Sequence, residues 1–223
     1  TVSLSVSSTS SSNIGSNTMT SGGLLIIDEA ASGTTAMAAD SLTVTGSEGT
    51  ATVTIAANKT AKEVAALFNA ETSATGVTAS AVTIMEISAN PAKTGGGATP
   101  NIVAGGTTFS FTVNGTAVAS HTNTETDMRN MKDAINAVSG TTGVSAKMGA
   151  TNADVILTDA DGDNIVIDAF VTGDDDTILF VEMQQEDGET ASGTVAADAS
   201  NEVGHVGILK DDSVSTSDFG YVA

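Results

Sequence analysis

The chain contains no cysteine and no tryptophan, a single tyrosine (Tyr221), and seven Lys and Arg against 27 Asp and Glu. The missing cysteine excludes disulfides, thiol nucleophiles and thiolate metal sites. The shortage of basic residues leaves a formal charge of −20, a field that repels phosphate backbones and anionic lipid. Neither nucleic acid nor a membrane surface is therefore an expected partner. No apolar run approaches the roughly 20 residues of a transmembrane helix. Aromatic residues make up 3 % of a chain that is 40 % hydrophobic, so the apolar content is mostly Ala, Val and Ile, set among many Ser, Thr and Gly. Such a composition favours many short strands with small-residue turns over a few large helices. The 223 residues suffice for one large or two small domains with a real core. The opening Thr1-Val2-Ser3-Leu4 shows no Met and no signal peptide, and reads as the interior of a longer protein.

What is present is a repeat. Asn69-Ala70, Thr75-Gly76-Val77 and Ala79 recur as Asn136-Ala137, Thr142-Gly143-Val144 and Ala146, each 67 positions on. Upstream, Leu42-Thr43-Val44-Thr45-Gly46 is matched by Phe111-Thr112-Val113-Asn114-Gly115 at an offset of 69. An internal repeat fixes the unit of folding and points to building-block proteins more than to enzymes, whose sites are usually unique.

The first copy, residues 41–93, starts with two alternating strands around Gly46 to Gly49. Thr60-Ala61-Lys62-Glu63 then predicts a capping box, followed by a helix with Ala61, Val64, Leu67 and Phe68 on one face. Val77, Ala79, Ala81 and Ile84 resume an extended segment. Residues 94–107 hold the Gly-rich stretch Thr94 to Pro100, which reads as a linker and domain boundary. The second copy, residues 108–170, repeats the plan with Asn114-Gly115 as hairpin turn and Thr124 to Asp127 as a weaker capping box. Its helix carries Met128, Met131, Ile135 and Val138 on the apolar face. Val155-Ile156-Leu157 and Ile165-Val166-Ile167 are expected to pair as a hairpin across Asp159-Ala160-Asp161-Gly162-Asp163. Residues 1–40 add strand-like Val2, Leu4 and Val6, a Ser/Gly-rich loop and the run Leu24 to Ile27. Residues 171–223 add strands at Ile178 to Val181 and Val206 to Leu209, with acidic loops. The expected fold is β-rich α+β: two small hairpin-helix-strand (ββαβ-type) modules in tandem, with additional β-strands at both ends.

These two units resemble the IN motif of bacterial flagellins, which also occurs in filament cap and hook-associated proteins. The resemblance rests on Phe111 to Gly115, Asn136-Ala137, Thr142 to Ala146 and the strands around the Asp-Gly turn, and covers about half the chain. It implies the variable outer region of a flagellin: extracellular, on the surface of the flagellum, structural, and without an enzyme site or cofactor. The implied partners are other flagellin subunits, through domains that lie outside this sequence, and neighbouring outer domains. It also implies O-glycan acceptors in the hydroxyl-rich segments 7–21 and 213–217. The alternatives are a cap or hook-associated domain, or a secreted acidic adhesin with weak calcium or sugar binding.

Candidate sites are few. Asp159, Asp161 and Asp163 have the opening spacing of a calcium loop, but Asn164 and Phe170 stand where that loop needs Gly and Glu. They are a weak metal candidate, more simply a turn, and Asp174-Asp175-Asp176 is a second acidic cluster. His121 and His205 belong to no zinc motif. No serine lies in Gly-x-Ser-x-Gly, and no catalytic residue is expected. Asn58-Lys59-Thr60 and Asn114-Gly115-Thr116 match the N-glycosylation sequon, at positions that cap or turn chemistry already explains.

Overall fold

The computed structural model describes residues 39–57, 59–89, 102, 105–173, 178–183, 207–210 and 221–222. The strands expected near Val2 and Leu24, the Gly-rich segment Thr94 to Pro100, Asp174 to Asp176, His205 and both hydroxyl-rich segments lie outside these residues.

The fold is β-rich α+β, with three antiparallel sheets among the described residues. β1 (Asp40–Thr45) and β2 (Thr50–Ile55) form a hairpin, with Leu42 opposite Val53 and Val44 opposite Ala51. α1 (Ala61–Ala70) follows. Thr60 accepts a hydrogen bond from the Glu63 amide while the Glu63 carboxylate accepts one from the Thr60 amide, the expected capping box. Val53 and Ile55 are buried where β2 meets α1. A further turn, α2 (Thr72–Thr75), closes at Gly76 in the left-handed conformation (φ 74°). β3 (Thr83–Ser88) comes next.

The second copy starts with β4 (Thr107–Val113) and β5 (Thr116–Asn123), joined by Asn114 (φ 48°) and Gly115 (φ 74°). Positive φ at both turn residues is what a twisted two-residue hairpin needs, and Asn-Gly supplies it at least strain. α3 (Arg129–Ala137) and the turn α4 (Ser139–Thr142) lead to Gly143 (φ 77°), β6 (Val144–Met148) and β7 (Asp154–Asp159). β8 (Val166–Thr172), β9 (Ile178–Met183), β10 (Gly207–Lys210) and β11 (Tyr221–Val222) are the remaining strands among the described residues. The strands expected at Ile178 to Val181 and near Val206 to Leu209 are thus β9 and β10.

The larger sheets run β10-β9-β3-β7-β6 and β11-β8-β4-β5. One apolar core joins them. Met85, Ile87, Val155, Leu157 and Val144 come from the first sheet, and Phe109, Phe111, Val113, Val118 and Ile167 from the second. α3 packs on β5 and β6 and adds Met128, Met131 and Ile135, all fully buried, with Val138 at the margin. Met131 and Ile135, one helical turn apart, point inward as their spacing predicts.

Three features depart from the sequence reading. β7 and β8 do not pair: the chain crosses from one sheet to the other at residues 160–165, so the Asp-Gly turn is a crossover and not a hairpin. The two copies share a sheet: β3, from the first, lies between β9 and β7. Thr124 caps nothing. Its main chain pairs with Asp127 in an isolated bridge. The orphan amides at the start of α3 go instead to Asp127, which accepts from Arg129, and to buried Asn123 on β5, which accepts from Met131.

Candidate functional site

The repeated residues form one device, built twice. Asn136 donates through Nδ2 to the Ala146 carbonyl and accepts the Ala146 N–H on Oδ1, both at 2.8 Å. Asn69 does the same to Ala79, at 2.9 and 2.8 Å. The Thr142 hydroxyl donates to the Val138 carbonyl and accepts from the Val144 amide; Thr75 does likewise with Glu71 and Val77. Gly76 and Gly143 turn the chain between these contacts. The hairpin tip docks on the same carbonyl in each copy by different chemistry. The Glu48 amide donates to the Thr75 carbonyl, and Asn114 Nδ2 donates to the Thr142 carbonyl. Asn114 Oδ1 also accepts the Val166 N–H at 2.8 Å, so both ends of this sequon amide are engaged within the fold.

The acidic turn is knitted into the molecule. Asp159 is buried, and its Oδ1 accepts the amides of Asp161 (3.0 Å) and Asp163 (3.2 Å). Asp163 forms an ion pair with Lys62 of α1 at 2.6 Å, and the Lys62 amide donates to the Gly162 carbonyl. The hydrogen bond to Asp163 is the main reason the Lys62 ammonium titrates above its ordinary value, with Asp161 and Asp159 adding to it. The turn is thus a clasp between the copies. Among the described residues, no group of three or more His, Asp or Glu is placed to hold a metal ion.

His121 occupies the most unusual surroundings. Phe109 faces His121 across β4 and β5, whereas Phe111 faces Val118, so β5 carries an extra residue between them. That bulge turns His121 onto the same side as the phenylalanines. A second irregularity, between β4 and β8, includes Ala169 in the left-handed region (φ 51°) and brings Phe170 inward after Ile165 and Ile167. The His121 ring lies 6.0 Å from Phe109, stacked, and 5.6 Å from Phe111, edge-on, while Phe170 packs on both phenylalanines. Nδ1 is 2.8 Å from the Ala119 carbonyl, which requires its proton there; Nε2 is buried without a partner. Burial pushes the imidazole pKa below its usual value, only partly opposed by that hydrogen bond. The geometry is that of a half-buried histidine packed against the core, whose contacts among the described residues are aromatic rings and a main-chain carbonyl.

Asp154 was not singled out by its sequence. It is fully buried, accepting from the Ser88 hydroxyl (2.6 Å), the Thr151 amide (3.0 Å) and the Thr151 hydroxyl (2.6 Å). It ties the β6–β7 turn to β3. The Thr151-x-x-Asp154 spacing was the only local signal.

No family model matches the chain, and no curated protein matches it at a significant level.

Proposed function

We propose that this chain is a structural, surface-exposed region of a bacterial flagellar filament subunit, extracellular and without a catalytic role. The observation that carries the reading is the duplicated device: Asn69 and Asn136, Thr75 and Thr142, Gly76 and Gly143 make the same contacts at the motif positions that resemble flagellin. Repeated side chains spent on holding one loop in shape suit a scaffold. The charge of −20 suits a surface that stays solvated when many copies stand side by side. Neighbouring outer domains and glycans on exposed hydroxyls are the partners this reading assigns.

The test is immunogold labelling of the source cells with an antibody raised against the chain. Gold along the whole filament is expected. Gold confined to the tip or base would move the assignment to a cap or hook-associated protein. Label on the cell body with bare filaments would overturn it in favour of an adhesin.

A further inference from the structure

The second copy pairs its β6 with β7, in antiparallel register from Val144 opposite Asp159 to Met148 opposite Val155. Asn136 takes the main-chain groups of Ala146, so β6 turns those of Ser145 and Lys147 towards β7. In the first copy the corresponding residues are Thr78 and Ser80, on either side of the clamped Ala79. Val77, Ala79 and Ala81 are partly buried and Thr78 and Ser80 exposed, the alternation of a strand, yet Val77–Ala81 belongs to no sheet. The main-chain groups of Thr78 and Ser80 have no partner among the described residues. The reason is topological: after residue 81 the chain leaves to supply β3 to the other sheet, where in the second copy it turns back as β7.

We propose that Val77–Ala81 is a docking edge for an extended segment of another polypeptide, added as an antiparallel strand in the position that β7 holds in the second copy. β7 defines the chemistry of the occupant: apolar side chains at alternate positions, as Val155 and Leu157 supply, with main-chain hydrogen bonds giving affinity. An open groove of about 350 Å³ lies along the same segment on its α1 side, lined by Lys62, Ala65, Ala66, Asn69, Ala79 and Ala81. Charge sets the sign. Exposed Glu48 lies against Gly76 at one end and exposed Asp161 stands at the other, where the Lys62 ammonium is already paired with Asp163. The occupant is therefore a basic strand, and a second copy of this chain, at −20, is disfavoured. This inference stands independently of the proposed function.

The probe is a synthetic peptide with the sequence Val155-Ile156-Leu157-Thr158 flanked by lysines, added to the intact, isotope-labelled chain. Amide hydrogen exchange at Thr78 and Ser80 is followed by NMR. At millimolar peptide both amides are expected to slow at least tenfold. Ser80→Pro, which removes one outward donor and leaves the Asn69–Ala79 bonds in place, should abolish the effect at Thr78. Unchanged exchange at both amides in the wild-type chain overturns the proposal, whatever the variant does. So does protection elsewhere alone, as on β1. Slowing that follows the protein's own concentration without peptide would assign the edge to self-association and overturn the basic partner.

Discussion

Asn136 and Ala146 stand ten residues apart in sequence and are joined by two hydrogen bonds that close the loop between α3 and β6. Each bond satisfies a main-chain group that points away from β7 and would otherwise lack a partner. At roughly 1 kcal/mol per bond, Asn136→Ala should cost about 2 kcal/mol. Asn69→Ala removes the same contacts from a more exposed site and should cost about half as much, roughly 1 kcal/mol. Urea denaturation of the two variants checks both the size and the order.

The two hairpin tips should respond differently to a methyl group. Gly115 has open space around it, so Gly115→Ala is opposed only by its left-handed backbone, at about 1 kcal/mol. Gly46 has no such conformation, but a Cβ there would sit 2.0 Å from the Thr75 carbonyl oxygen and 2.8 Å from Val77 Cγ2. Gly46→Ala should push the β1–β2 turn off α2. Faster exchange of the Glu48 amide, with little change at Asn114, is the expected readout by NMR.

Ala169 carries a left-handed backbone that alanine adopts at a cost of roughly 1–2 kcal/mol. Ala169→Gly relieves that strain, less the greater freedom of glycine in the unfolded chain, and should stabilise by up to about 1 kcal/mol. A rise in melting temperature checks it, and a fall would show that the alanine methyl has a packing role.

His121 predicts a pH dependence. Its folded pKa lies below the ordinary 6.5, so the unfolded chain binds the proton more tightly. The associated stability is complete above about 6.5 and declines as the pH falls through that value towards the folded pKa. His121→Phe should flatten the stability profile just below about pH 6.5, above the range where carboxylates titrate. A profile as steep in the variant as in the wild type would assign the slope to other groups.

Where the sequence was readable, the contacts were local. Thr60 and Glu63 cap α1 because both halves of the box lie within one turn. The repeated asparagines, threonines and glycines mark a loop whose partners all lie within about ten residues. Thr124 and Asp127 have the same spacing, with Asp in place of Glu, and fail, because Asn123 on β5 reaches the helix amide instead. The turn around Gly162 has the composition of a hairpin. It becomes a crossover where Ala81 and Lys62, far back in the chain, pack against it; a Cβ on Gly162 would lie 2.5 Å from that of Ala81. No local pattern reports such a neighbour. His121 was legible as a residue without a metal motif, but its place against Phe109 and Phe111 depends on an irregularity in strand pairing.

β3 has one more consequence, for synthesis. It is made well before either of its neighbours, β7 and β9, and Met85 and Ile87 are fully buried once both are in place. While translation proceeds at roughly 5–20 residues per second, this apolar strand waits for seconds with both edges bare. Nascent chains growing side by side expose it to the β7 of a neighbour before its own is made. Exchange of β3 between molecules is thus the misassembly to which this topology is most exposed, and holding nascent chains apart should protect the yield of monomer.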